Sequence, residues 1–345
     1  MEIDADELFA ARTLREWITG ARTEYGRMFF LDSGAPFGAI APFLSADDVV
    51  IAPEHDAPTH DRARILTYSG QFTDPGDELF VGHRGVELQD YLAAAFVEVV
   101  GPTAVRFFDQ AGWTAFLDDA ELARRTGVFP PPLIDPRVAL ADRDALIAPA
   151  RSEPPRAVRV DQTGRISLGM QGIVLGDVND TATALSRPVP PIAALGDVVA
   201  HEHVASDLRD APWLPRYLHA IELVKMLALG NGVAKVAGFG WSVSEDGRAE
   251  SVTPAADPFI VSTQDGVVLA DVISRRRQLL TPLTADVVSI VQTSASLPTA
   301  RDRLAALHGI DTHRAELLCR DALDRLGVHS GGPRDEVLVG AQVPQ

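Results

Sequence analysis

The clearest periodicity lies in the last third of the chain. In FIVSTQDGVVLADVISRRRQLLTP, residues 259–282, two apolar runs are separated by Asp265 and Gly266, a dipeptide that supplies the backbone angles of a tight hairpin turn. The pattern predicts two strands joined by that turn and a third strand at SRRRQLL. From Thr281 the apolar spacing changes from the strand period to the helical one. Thr281 is placed to cap a helix with Pro282 at its first position, where the missing N–H costs nothing. SLPTARDRLAALHG predicts a second helix, with Ala300, Leu304 and Leu307 on one face and Gly309 as its stop. Asp311 caps a third, whose Ala315, Leu318, Ala322 and Leu326 form a regular apolar stripe. The order is β-β-β-α-α-α, a winged-helix-like arrangement over residues 257–329.

Upstream the pattern is less regular. ADELFAARTLREWITG places Leu8, Ala11, Leu14 and Ile18 at helical spacing, with Asp4 or Asp6 as cap and Gly20 as stop. RMFFLD, VVIAP, ARILTYSG and TAVRFF read as strands, LQDYLAAAFVEVV as the start of a helix, and AGWTAFLDDAELARRTG as a further helix. The alternation predicts an α/β domain over residues 1–150. Proline-rich punctuation at 130–136 and 149–156 precedes AVRVDQTGRISLGMQGIVLGDV, a β-meander in which Val158, Val160, Ile166 and Leu168 alternate inward. PWLPRYLHAIELVKMLALGNG then predicts a helix with Leu218, Ile221, Leu223, Val224, Leu227 and Ala228 inward and Gly230 as stop. KVAGFGWSV reads as one more strand, and the acidic SEDGRAESVTPAADP as a loose linker. The expected fold class is α+β, with a middle domain over 151–256, the β3α3 domain over 257–329 and a flexible tail over 330–345.

Composition narrows the function classes. A formal charge of −17 over 345 residues opposes nucleic acid and anionic lipid and favours protein or peptide partners. No apolar run is long enough to span a bilayer, and the acidic start MEIDADELFA is unlike a secretory signal. A soluble, cytoplasmic protein is expected. Cys319 is the single cysteine, so neither an internal disulfide nor a thiolate metal cluster can form, and its neighbours Leu317, Leu318 and Ala322 mark it as a small buried hydrophobe. His201, Glu202 and His203 do not converge on one face in either a strand or a helix, which opposes a metal site. Gly230 to Gly240 follows a helix and enters a strand, the reverse of a dinucleotide loop, and no phosphate loop follows a strand elsewhere. Asp118, Asp119 and Glu121 read as helix-dipole partners. Trp17, Trp113, Trp213 and Trp241 are scattered, as core residues are. No catalytic residue, metal ligand or cofactor is expected.

The strand with its DG turn, VVLAD, LLTPLTADVVSIV, ARDRLAALHGID and the long third helix ending LDRLGV resemble the PqqD-like recognition element of ribosomal peptide biosynthesis. The resemblance implies that a precursor leader adds as a strand to the third β-strand, beside the third helix, by main-chain pairing. Carried over, the edge comprises Arg275, Arg276, Arg277, Gln278, Leu279 and Leu280. Arg314, Leu318, Asp321 and Arg325 share one stripe of the third helix at steps of four, three and four; their spacing leaves open whether they face the cleft. The arginines guard the edge against aggregation, attract an acidic leader, or both. LREWITG, DQAGWTAFLDDAELARRTGVFPPPLIDPRVALADRDAL and WLPRYLHAIELVKMLAL with GFG resemble the recognition proteins of daptide clusters. That resemblance implies a non-catalytic partner presenting a precursor peptide to separate dehydrogenase, aminotransferase and methyltransferase enzymes. A winged-helix DNA-binding regulator is the alternative, opposed by five arginines against six acidic groups over 283–329. An enzyme with a fused recognition element is the other.

Overall fold

The computed structural model of the protein describes residues 5–21, 24–149, 152–196, 198–238, 243 and 251–331. The chain forms two compact units, residues 1–116 with 136–206 and residues 117–135 with 207–345, where breaks near 150 and 256 were expected.

The first unit is a mixed α/β body around ten strands: β1 Met28–Leu31, β2 Val49–Pro53, β3 Arg64–Gly70, β4 Glu78–Val81, β5 Arg84–Asp90, β6 Thr103–Arg106, β7 Val138–Leu140, β8 Ala157–Val160, β9 Arg165–Leu168 and β10 Val174–Asp177. Their order across the sheet is β10-β9-β8-β1-β2-β3-β4-β5-β6-β7. β8, β1, β2 and β3 run parallel, as do β5, β6 and β7, while the hairpin turns around β4 and β9 are antiparallel. MFFL and VVIA are continuous apolar runs because both faces of their strands are covered. Met28 and Phe30 pack with Trp17 and Ile18 of helix α1, Ala5–Thr19, while Phe29 and Leu31 pack with Ile40, Leu44 and Leu185 on the opposite face. Trp17 stacks on Phe30, and Phe30 on Tyr68, at centroid distances of 5.3 and 4.8 Å.

The meander forms with Val158, Val160, Ile166 and Leu168 inward as expected. It is not a separate domain, because β8 pairs with β1 from Met28 opposite Ala157 to Leu31 opposite Val160. Three local expectations change. The buried face of α1 is Ala10, Leu14, Trp17 and Ile18, with Leu8 exposed. Asp6 lies inside the helix, pairing with Arg64 at 2.6 Å, while Asp4 lies outside the described residues. LQD ends strand β5, and only Tyr91–Ala94 makes a helical turn.

Helix α2, Gln110–Thr126, begins in the first unit and ends in the second; helix α3, His201–Asp210, likewise spans the division. The second unit contains helix α4, Leu214–Leu227, and a four-stranded antiparallel sheet in the order β11-β12-β13-β14, from Lys235–Val236, Phe259–Thr263, Gly266–Ala270 and Arg277–Leu280. Helices α5, Pro282–Thr293, α6, Leu297–His308, and α7, Thr312–Leu326, cover one face. The element order β-β-β-α-α-α and its caps are those expected. Thr281 Oγ1 accepts from Thr284 N at 3.2 Å, Asp311 Oδ1 from Arg314 N at 2.9 Å, and Gly309 takes φ 62° at the end of α6.

Several details differ here too. Helix α4 ends on Ala228 in the left-handed region, φ 50°, before Gly230 is reached. Ala228 is exposed and Leu227 half-buried, so the stripe is carried by Leu218, Ile221, Leu223 and Val224. The strand expected over 235–243 is seen only as β11, and it belongs to the C-terminal sheet; residues 239–242, Trp241 among them, lie outside the described residues. Residues 244–250 of the expected linker lie outside as well. Its remainder is not loose: Ser251, Thr253 and Asp257 are buried. Of the expected tail, 332–345 lie outside the described residues, while Gly331 is buried against Ser251.

Candidate peptide-binding edge

The face of the small sheet that carries Ile260, Leu269 and Leu280 packs on Ala285, Val288, Ala300, Leu304, Ala315 and Cys319 of the three helices. Cys319 is fully buried, and burial pushes its thiol up to about 11. The opposite face is anchored by α4. Arg216, 1% exposed, lies with its guanidinium 3.7 Å from the Phe259 ring centroid. It donates to the carbonyls of Pro254 at 3.1 Å and Pro258 at 3.0 Å, and to that of Asp257. Burial lowers its pKa to about 9, with Asp257 acting in the other direction. The Asp257 carboxylate accepts from His329 N at 2.9 Å and Gln292 Nε2 at 3.3 Å, and its Oδ1 lies 2.8 Å from His329 Nδ1. The Nη1 and Nη2 bonds of the buried guanidinium and the bonds of the Asp257 carboxylate fix the chain entering β12 and the chain leaving α7.

β11 has two residues and closes one side of the sheet; β14 is the other edge. Its register sets Ala270 opposite Arg277, Leu269 opposite Gln278, Val268 opposite Leu279 and Val267 opposite Leu280. Asp271 N donates to Arg276 O at 2.8 Å. Antiparallel ladders alternate bonded and non-bonded pairs, so Gln278 and Leu280 are tied to β13. The N–H and C=O groups of Arg277 and Leu279 therefore point away from the sheet. Their side chains are exposed, Leu279 at 67%.

A cavity of about 180 Å³ lies against this edge. It is bounded by Arg276, Arg277 and Gln278, by Leu269 and Asp271, and by Pro258 and Leu326. Its apolar walls come from β13, the start of β12 and the end of α7. Arg276 extends across that end, its Nη2 lying 3.7 Å from where a Cβ on Gly327 would sit. Burial acts to raise the pKa of Asp271, but its carboxylate accepts from Ser274 Oγ at 2.5 Å and Ile273 N at 2.8 Å, and these bonds with the positive charge of Arg276 hold it low. Arg275, Arg276 and Arg277 form no ion pair among the described residues. Three exposed guanidinium groups thus stand beside an unpaired edge of an acidic chain.

The expected edge is shortened. β14 begins at Arg277; Arg275, at φ 56°, and Arg276 belong to the turn that Asp271 closes. The helix stripe is not brought to the cavity. Arg314, Asp321 and Arg325 are exposed, with Arg325 Nε 2.7 Å from Asp321 Oδ1, while Leu318 is half-buried against the core. The residue of α7 that reaches the cavity is Leu326. Pro258, Leu269 and Asp271 were not singled out from the sequence, and Leu326 was read only as part of the apolar stripe of α7. D-V-I-S at 271–274 was the one local signal available, since Asp and Ser at that spacing favour a side-chain-closed turn.

Glu202 and His203 lie on α3, and no group of three His, Cys, Asp or Glu side chains able to hold a metal exists among the described residues. No helix among the described residues is long and apolar enough to cross a membrane. No protein-family model, curated protein or solved structure matches the chain.

Proposed function

We propose that the second unit is a PqqD-like, winged-helix recognition element that binds a precursor peptide as an added strand on β14. On this reading the chain is non-catalytic and presents the precursor to separate modifying enzymes of the dehydrogenase, aminotransferase and methyltransferase kinds. The observation that carries the reading is the outward-facing backbone of Arg277 and Leu279 beside the 180 Å³ cavity. An added strand alternates its side chains between two faces. One set meets Leu269, Leu326 and Pro258 in the cavity; the other meets Leu279 and half-buried Val268. Acidic residues in the peptide fit the three unpaired arginines, which steer encounter more than they add affinity.

Hydrogen exchange with and without an acidic precursor leader peptide tests the proposal. Binding protects the amides of Arg277 and Leu279, which lack partners in the sheet. Protection confined to other segments, or a peptide that binds with no change over 277–280, rejects it.

A further inference from the structure

The first unit holds a cavity of about 410 Å³, within the size range of small-molecule sites. It lies between the end of α1, the loop after β7 and the segment leading into β8. Glu16, Asp142, Asp144 and Glu153 line it together with one guanidinium, that of Arg156. Arg143 bonds Asp144 at 2.7 Å, and Arg156 lies 4.0 Å from Glu153. Asp142 is the most deeply buried of the four, 3% exposed against 5% for Glu16, and its buried Oδ2 has no hydrogen-bond partner. The Arg106 charge acts on it, but that guanidinium donates to Thr73 O at 2.7 Å and lies over the Phe108 ring.

The backbone at this point is unusual as well. Asp142 takes φ 51°, in the left-handed region, and Gly169, at φ 57°, approaches so closely that a Cβ there would lie 3.2 Å from Asp142 Oδ1. A buried carboxyl oxygen without a hydrogen-bond partner costs stability, and such an orphan is found where a ligand uses the group. No three acidic or histidine side chains among the described residues converge as a metal requires. The remaining wall includes apolar Met28, Ile147 and Leu168 together with Tyr25. We propose that this cavity binds a small organic ammonium ion with an apolar body, its charged head held by Asp142.

Calorimetric titration of the full chain with benzylammonium chloride tests this, with benzyl alcohol as the neutral match. The ammonium ion is expected to bind with a Kd below about 1 mM, and the alcohol at least about tenfold more weakly. Asp142→Asn keeps the size and tolerates the left-handed angle, and lowers ammonium affinity at least about tenfold by removing the charge. Ala148→Phe, at an exposed position lining the cavity, blocks entry without touching the core. Absence of heat with wild type at about 5 mM ligand, equal binding of the alcohol, or unchanged affinity in both variants overturns the proposal.

Discussion

Leu279→Pro separates edge pairing from folding, because the N–H it removes is not used inside the sheet. The ladder places that N–H outward, opposite no residue of β13. Proline is tolerated on edge strands for this reason, and Gln278 before it is already in a strand, where proline prefers its predecessor. The variant is expected to unfold within about 1 kcal/mol of wild type. Binding responds differently. One main-chain bond to the added strand is lost, about 1 kcal/mol net, and a carbonyl of the incoming peptide is left unpaired, a further cost of about 1–3 kcal/mol. A total of about 2–4 kcal/mol weakens a labelled leader about 30- to 900-fold in fluorescence polarisation. Leu279→Ala keeps the N–H and loses only side-chain contact, so its effect is smaller. A Leu279→Pro protein that is folded and binds within about threefold of wild type, against the 1.4 kcal/mol that a tenfold change represents, refutes strand addition at β14.

Charge reversal at Arg276 and Arg277 is expected to weaken an acidic leader about tenfold at low salt, with the gap closing by about 0.5 M NaCl, where screening falls to a few ångströms; a salt-independent difference argues against steering. Arg216→Met leaves the carbonyls of Pro254, Asp257 and Pro258 without their buried donor, at a cost of about 3 kcal/mol or more in urea unfolding, and a loss below about 1 kcal/mol contradicts the anchoring role. Burial pushes the Asp142 carboxyl up to about 7, partly offset by Arg106, with Glu16 and Asp144 lining the same cavity. A folded pKa above the unfolded value means that folding favours the protonated acid, so the penalty is absent below about pH 4 and grows through pH 7 to roughly 4 kcal/mol. Asp142→Asn is therefore expected to gain stability over wild type as pH rises from 4 to 8; a difference that stays flat across that range rejects a raised pKa at Asp142.

The C-terminal elements could be read from sequence because each was set by a local device. The hairpin turn falls on Gln264 and Asp265, with Gly266 opening β13 opposite Thr263, and so one residue earlier than expected. That turn, the Thr281 and Asp311 caps and Gly309 act within a few residues, and their geometry does not depend on distant partners. The start of β14 could not be read in this way. SRRRQLL has strand spacing throughout, yet Asp271, four positions before Arg275, captures Ile273 and Ser274 and turns the chain before the ladder begins. The meander shows the complementary failure. Its strands were recognised from their alternation, but nothing local specifies that β8 pairs with β1, more than a hundred residues away.

The two candidate sites differ for the same reason. The β14 edge follows from strand order and was approached from sequence, although the cavity walls supplied by Pro258 and Leu326 depend on the buried contacts of Asp257 and Arg216. Those contacts join residues 216, 257 and 329, and no periodicity links them. The Asp142 cavity had no local signature at all: Glu16 reads as a helix surface residue, Asp142 as a loop acid and Glu153 as part of proline-rich punctuation. Only the parallel pairing of β1 with β8 and of β6 with β7 brings these carboxyls to one enclosure. A site assembled by non-local pairing leaves its chemical trace in burial, as an unmatched carboxyl oxygen on a left-handed backbone, and not in residue spacing.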